Sequence, residues 1–299
     1  MYKKILVPTD FSRPALAAGD LAVELASLFN AEVHFFHKLH LPPKWDEYDE
    51  KTQARFPDTL YALRYMENNF KVLRERYAEQ AVRISTTYSG GDMVPTISRY
   101  IDEEDVYMII MGSHGRAGLE EIVFGSNAQK VVRNAHCPVL VMKQPVEEAN
   151  FKNVVFASDF RDEAREPFKR MLDFARRFNS HIHLLHIAAY PRFEASPEDI
   201  ARMEDFAKDC PLAYTIHGVG DVEVDEGIKF FAKKIKADLV SITHYGGTQL
   251  KRIFAGSVSE TLVNNIDCPL LVLNTDQTRS TEGEIEASDQ KSLWNFAAP

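Results

Sequence analysis

Short strand-like runs alternate with longer segments along the chain. Runs that are apolar at successive positions are typical of strands buried on both faces of a parallel sheet. In the first half, the predicted strands are residues 5–7, 33–37, 82–88, 106–111 and 139–142. In the first segment between them, Leu21, Leu25 and Leu28 would line one face of a helix that Ser12 can cap. Strands that alternate with helices predict right-handed βαβ units and a parallel sheet.

The same pattern occurs twice. Residues 3–37 align without gaps with residues 152–186 at an offset of 149, so that Asp10 matches Asp159 and His37 matches His186. A repeat of this length indicates two duplicated domains rather than a solenoid, whose period is about 20–50 residues.

A second match gives the length of each copy. HCPVLVM at 136–142 matches DCPLLVL at 267–273, here at an offset of 131, so the second copy is 18 residues shorter between its second strand and its end. The segment 41–57 is rich in prolines and charges and is the predicted extra loop.

We therefore predict an α/β protein with two tandem doubly wound domains, each with a five-stranded parallel sheet. The first domain would span 1–146 and the second 150–275, with a polar, proline-containing boundary at 144–150. Residues 276–299 are mostly polar and charged, which predicts a mobile tail.

Composition narrows the class of protein. A formal net charge of -9 disfavours nucleic acid and anionic membranes as general partners. The three cysteines lack the CxxC spacing of zinc sites and suit a reducing compartment. We see neither a signal-peptide pattern nor an apolar run of about 18 residues. These observations lead us to expect a cytoplasmic protein.

Glycines cluster directly after the strand at 106–111. Gly112 and Gly115 follow this strand, and Gly125 and Ser126 open a predicted helix. Glycine lets a ligand approach the backbone closely, and the first turn of a helix offers free N–H groups at a positive dipole end. At the carboxyl end of a parallel strand, these features predict a site for phosphate. The motif is neither a Walker loop nor GxGxxG.

The glycine spacing resembles a known family. Two residues separate Gly112 from Gly115 and nine separate Gly115 from Gly125-Ser126, which resembles the signature of the ATP-binding branch of the universal stress protein family. ILVPTDFS at 5–12 and HCPVLVM at 136–142 are also similar to that family, and the resemblance covers nearly the whole chain. It implies a Rossmann-like fold of the adenine nucleotide alpha hydrolase type.

The resemblance also implies a nucleotide site in the first copy, for ATP with Mg²⁺ as a possible companion. Pro8, Thr9 and Asp10 would face adenine and ribose, and the glycine loop would hold the phosphates. The implied binding residues are Pro8, Thr9, Asp10, Lys38, Met111, Gly112, Gly115, Arg116, Gly125, Ser126 and Asn127. Lys38 departs from the family, which usually has an aliphatic residue there, and the acidic pair at 120–121 stands where basic residues are common.

The second copy keeps only part of the motif. Thr243 replaces the first glycine, and a β-branched residue there loses backbone freedom and adds bulk beside the phosphate path. The weaker second site would consist of Asp159, Gly246, Gly256 and Ser257.

Histidines and cysteines offer alternative chemistry. His181 and His183 share one face of a strand, so metal ligation and ordinary strand packing are both open readings, but no strong ligand spacing accompanies them. Cys137 and Cys268 are repeat-equivalent and are expected to be buried and inert. We predict no metal site of the protein's own and no catalytic residue.

Three functions remain open. The first is an ATP-binding regulatory protein of the stress response that alters docking to an unidentified protein partner, without robust catalysis. The second is a slow ATPase or an autophosphorylating enzyme, and the third is a nucleotide-free scaffold that acts through protein contacts. In the family, the last strand pairs across a twofold axis. Here it would pair the two copies within one chain, and this unit could pair again into a homodimer.

Overall fold

The computed structural model describes residues 3–113, 125–189, 194–244, 261–263, 265–275 and 295–296. The strands are β1 (Lys3–Pro8), β2 (Ala31–Lys38), β3 (Ile84–Ser89), β4 (Val106–Gly112), β5 (Val139–Met142), β6 (Asn153–Ala157), β7 (His181–Ala189), β8 (Tyr214–Asp221), β9 (Leu239–His244), β10 (Leu270–Asn274) and β11 (Asn295–Phe296). The α-helices are α1 (Arg13–Phe29), α2 (Glu50–Gln53), α3 (Pro57–Arg76), α4 (Met93–Glu104), α5 (Ser126–Asn134), α6 (Arg165–Ala175), α7 (Pro197–Ala207) and α8 (Val224–Ile235).

The strands form one continuous sheet in the order β11-β3-β2-β1-β4-β5-β10-β9-β6-β7-β8. Each half contributes five strands that run parallel to one another, and the order in the second half mirrors that in the first. The predicted pair of doubly wound α/β domains is therefore confirmed.

The two halves meet at the antiparallel pair β5 and β10. Leu271 lies opposite Leu140, and both side chains are at most 1% exposed. The predicted pairing of the last strands within one chain is thus observed. Because each last strand occupies the other's open edge, neither presents unpaired backbone groups at the centre of the molecule.

Helices cover both faces of the sheet. Ile5 and Val7 of β1 point to the core that contains residues of α1, α3, α6 and α7, whereas Leu6 points to the core of α4, α5 and α8. All three side chains are fully buried. Burial on both faces is the physical reason for the uninterrupted apolar runs in the sequence.

Aromatic side chains fill the seam between the halves on one face. Phe29 at the end of α1 stacks on Phe174 of α6 with ring centroids 5.6 Å apart, and Phe151 lies 5.3 Å from Phe174. The Glu24 carboxylate accepts a hydrogen bond from the Ala149 N–H at 2.8 Å. These contacts fix the halves against each other beyond the strand pair itself.

Local details differ from the prediction in two places. Ser12 caps α1 as predicted, by accepting a hydrogen bond from the Ala15 N–H. Leu28, however, is 46% exposed, because Phe29 is the residue of the last turn that packs in the seam. The segment 41–57 is not only loop: it contains a 3-10 turn at Trp45–Glu47 and the short helix α2. The extra length of the first copy also lies in α3, which has 20 residues where α7 has 11.

Part of the polar tail returns to the sheet. Asn295 and Phe296 form β11, which pairs antiparallel with Tyr88 and Thr87 of β3. Residues 276–294 and 297–299 lie outside the described ones, so the mobility of the tail stays a prediction. Within the described residues, no helix is long and apolar enough to cross a bilayer.

The seam makes a prediction about stability. Leu140→Ala and Leu271→Ala should each lower the free energy of unfolding by about 2–5 kcal/mol, because each leaves a cavity in the core. The double variant should deviate from additivity by about 0.5–3 kcal/mol, because the two residues are cross-strand partners. Urea unfolding measures both quantities.

A distant pair provides the control. Ile228 is fully buried on α8, which packs on β7 and β8, far from the seam. Leu140→Ala combined with Ile228→Ala should therefore be additive within about 0.5 kcal/mol. Equal coupling in the two pairs would mean that β5 and β10 do not hold the halves together in solution.

Candidate functional site

The turn between β1 and α1 presents Pro8, Thr9 and Asp10 at the carboxyl end of the sheet. The next residue, Phe11, has a φ of 62°, so the backbone turns sharply through the left-handed region. Two side chains hold this turn: Thr9 Oγ1 accepts a hydrogen bond from the Phe11 N–H at 3.0 Å, and Asp10 Oδ1 accepts one from the Ser12 N–H at 3.0 Å. The Asp10 carboxylate is therefore fixed beside the start of α1.

His37 fixes the same turn from β2. Its Nδ1 lies 2.7 Å from the Thr9 carbonyl oxygen, so Nδ1 donates this hydrogen bond, and its ring lies 4.7 Å from that of Phe11. In the second half, His186 Nδ1 lies 3.3 Å from the Ser158 carbonyl oxygen, and Phe160 has a φ of 56°. The predicted site residues do not include His37 and His186, although the presence of histidine at this position in both copies is a signal for a shared structural role.

The described ends of the glycine loop lie side by side. Gly112 ends β4, and the Ser113 N–H donates to the Met142 carbonyl oxygen at 2.9 Å. The Gly125 N–H then donates to the Ser113 carbonyl oxygen, also at 2.9 Å. This bond brings the first turn of α5 next to the carboxyl end of β4. The free N–H groups of that turn are thus close to the strand end where open α/β sheets bind ligands.

Gly112 also packs against the start of α1. A Cβ atom at this position would lie 2.8 Å from Pro14 Cβ and 3.0 Å from the Pro14 carbonyl oxygen. The absence of a side chain thus allows the β1–α1 turn and the end of β4 to approach each other. In the second half, Thr243 is fully buried at the equivalent position, and Glu163, the equivalent of Pro14, lies in a 3-10 turn that precedes α6. The residue at the end of β4 or β9 thus differs between the copies, and so does the start of the helix that packs beside it, α1 or α6.

The structure brings most of the described candidates to one edge. Thr9 is 7% exposed, and Lys38 at the end of β2 places its ammonium 3.9 Å from the exposed Asp92 carboxylate. Met111 is only 5% exposed and packs in the core of α4 and α5 directly below Gly112. Asn127 is exposed in the first turn of α5. Ser126 is described by its backbone, as the first residue of α5.

Several predicted residues lie outside the described part of the chain. These are Gly115 and Arg116 in the first copy and Gly246, Gly256 and Ser257 in the second. Their roles remain predictions.

The second copy surrounds its aspartate with arginines. Asp159 is 6% exposed, its carboxylate lies 3.0 Å from Arg161 Nε, and Arg202 donates a hydrogen bond to its carbonyl oxygen at 3.0 Å. Arg161 is the repeat equivalent of Ser12, which caps α1 in the first copy. The serine that caps α1 in the first copy is thus replaced in the second by an arginine that pairs with Asp159.

The cysteines do not offer a nucleophile. Burial raises the pKa of both Cys137 and Cys268 to about 12, so both are protonated thiols at neutral pH. Cys137 is buried as expected, whereas Cys268 is only partly buried.

The contact of Gly112 with Pro14 makes a testable prediction. Gly112→Ala should lower the free energy of unfolding by about 1–3 kcal/mol, because the added methyl meets backbone atoms that cannot rotate away. Gly125→Ser is the matched control. Among the described residues, the nearest atom to a Cβ there is 3.6 Å away, and serine is a good N-cap residue, so the change should stay within about 0.5 kcal/mol. Thermal and urea unfolding without nucleotide measure both, and equal losses would contradict the packing role of Gly112.

Comparisons with known proteins identify the family of this chain. The universal stress protein family model matches residues 1–143 and 150–274. A universal stress protein of Methanocaldococcus jannaschii, MJ0531, is 32% identical over 156 residues, which is 50% of this chain and 86% of that protein. The Bacillus subtilis universal stress protein YxiE is 29% identical over 158 residues, covering 48% of this chain and all of that protein.

A solved structure is similar over both halves. The crystal structure of a universal stress protein from Archaeoglobus fulgidus superimposes with a TM-score of 0.70, covers 92% of this chain and 97% of that one, and is 18% identical, which supports the fold alone. The two family matches lie one after the other along the sequence. This chain therefore belongs to the universal stress protein family, as a tandem of two family domains.

Proposed function

We propose that the first domain binds an adenine nucleotide, ATP, and that this binding regulates docking to a protein partner of the stress response without robust turnover. The observation that carries the proposal is the Gly125–Ser113 hydrogen bond. It sets the amino-terminal end of α5 against the carboxyl end of β4. Backbone N–H groups and the helix dipole at that position suit the phosphates of a nucleotide.

The neighbouring turn supplies the groups for the sugar and base. β1 and β4 are adjacent strands, so the turn that begins at Pro8 lies beside Gly112. In the proposed complex, Asp10 accepts hydrogen bonds from the ribose hydroxyls, while its bond to the Ser12 N–H holds the carboxylate in place. Lys38, on the other side of β1, stands next to the base. Mg²⁺ would accompany the phosphates as part of the nucleotide complex.

The proposal assigns the main site to the first domain. In the second domain, the bulk of the buried Thr243 side chain takes the place of Gly112 at the strand end. A phosphate there would meet this side chain at the end of β9. We expect one nucleotide per chain.

We also propose a cytoplasmic location. Cys137, Cys210 and Cys268 are free thiols, which suits a reducing compartment.

Titration of the purified full chain with ATP and Mg²⁺ by isothermal calorimetry tests the proposal. The expected result is a single site per chain. Asp10→Asn should weaken binding by about tenfold or more, because a hydrogen bond to a charged group contributes about 1.5–3 kcal/mol. Asp159→Asn, at the equivalent position of the second copy, is the matched control and should leave the affinity unchanged.

Phosphate release, measured in the same samples, separates the remaining functions. Binding without steady release supports a regulatory protein, whereas steady release that Asp10→Asn abolishes would make the protein an ATPase. Absence of binding at millimolar ATP would contradict the proposal, and a nucleotide-free scaffold would then be the remaining function. Equal effects of the two aspartate variants would contradict the assignment to the first domain.

A further inference from the structure

Histidines gather on the second domain, at the opposite end of its sheet from the nucleotide-type edge. His181 and His183 lie at the start of β7, and Thr215 and His217 lie near the start of β8, which pairs with β7 in parallel. Thr215 Oγ1 is 3.2 Å from His181 Nε2, 3.0 Å from His183 Nδ1 and 2.9 Å from His217 Nε2. Three imidazoles thus surround one hydroxyl.

Two of the imidazoles and the hydroxyl have the spacing of ligands around one ion. His183 Nδ1 and His217 Nε2 are 3.3 Å apart, and Thr215 Oγ1 is 3.0 and 2.9 Å from them. Two ligands that are each about 2.1 Å from an ion are about 3.0 Å apart at octahedral angles and about 3.4 Å apart at tetrahedral angles. The separations of the three donor atoms therefore match those of ligands around one ion.

We propose that His183 and His217, with Thr215, bind a divalent transition metal ion, Zn²⁺. Imidazole nitrogen is a ligand that Zn²⁺ favours, and the remaining positions would be taken by water. Among the described residues, no three His, Cys, Asp or Glu side chains already form a metal-holding group. The site therefore rests on two imidazoles and the Thr215 oxygen, and His181 is the next nearest donor.

The first domain has different residues at the positions that correspond to the histidine cluster. Glu32 and His34 are the repeat equivalents of His181 and His183. His34 Nε2 bonds to the Glu32 carboxylate at 3.0 Å, and Lys4 pairs with Glu32 at 3.9 Å. The Glu32 carboxylate thus pairs with both His34 and Lys4. In the second domain the carboxylate is replaced by an imidazole, and the ring of His183 bonds to Thr215 and His217 instead.

The surroundings of His183 and His217 favour neutral imidazole rings. Burial, followed by the neighbouring His181 and His217, lowers the pKa of His183 to about 4. Burial also lowers the pKa of His217, and the charges of His181 and Lys234 lower it further. Both shifts favour the neutral imidazole, which is the form that binds metal ions.

α8 closes one side of the site. Phe231 lies 4.6 Å from the His217 ring and 6.3 Å from the His183 ring, so it orients both rings. Lys234, on the same helix, is exposed, and its charge lowers the pKa of His217. Its positive charge opposes a second cation, which gives the proposal a test with a definite sign.

The full chain, stripped of metal with a chelator and free of nucleotide, is titrated with Zn²⁺ by calorimetry and with Co²⁺ by visible absorption. We expect one ion per chain. His183→Gln and His217→Gln should each weaken binding by at least about tenfold and reduce the Co²⁺ absorption. His136→Gln, which changes an exposed histidine, is the matched control and should change neither.

Lys234→Gln keeps the test decisive if a histidine variant fails to fold, which circular dichroism and melting without metal would reveal. Removing the opposing charge should tighten Zn²⁺ binding about twofold or more at low salt. Absence of Zn²⁺ binding at millimolar metal, unchanged affinity in both histidine variants, or weaker binding after Lys234→Gln would each overturn the proposal. These results do not depend on whether the first domain binds a nucleotide.

Discussion

The antiparallel pairing of β5 with β10 is the interaction on which the architecture depends. It joins two five-stranded parallel sheets into one surface and places Leu140 against Leu271 at its centre. A short apolar strand at the edge of a sheet exposes unpaired backbone groups and invites association. Here the last strand of each copy pairs with that of the other, so these backbone groups are hydrogen-bonded. The helices on both faces can then pack into cores that continue across the seam.

Each half then uses its carboxyl edge in its own way. In the first, Gly112 has no side chain, so Pro14 and the turn that bears Asp10 come close to the end of β4. In the second, Thr243 is buried at the equivalent place. Arg161 there forms an ion pair with Asp159, which is the repeat equivalent of Asp10. The backbone turn itself is retained in both, with Phe11 and Phe160 at positive φ and a histidine holding each turn.

The sequence predicts the fold well because its signals are local and repeated. Apolar runs identify strands that are buried on both faces, and the offset between copies identifies the domains. Contacts across strands are harder to predict. His183 meets His217 only because the register of β7 and β8 places His183 opposite Thr215, two residues before His217, and no spacing in the sequence shows this. The approach of Pro14 to Gly112 and the pairing of Arg161 with Asp159 depend in the same way on tertiary geometry.

The covalent tie between the copies has an evolutionary consequence. When two separate chains pair through their last strands, each surface must suit every partner that it meets. Here the linker from Met142 to Asn153 keeps one fixed partner always present, at an effective concentration of the order of millimolar or above. Each copy is then free to diverge, since a change in one has to be accommodated by a single neighbour. Duplication within one chain thus permits a division of labour that a symmetric pair of identical subunits could not sustain.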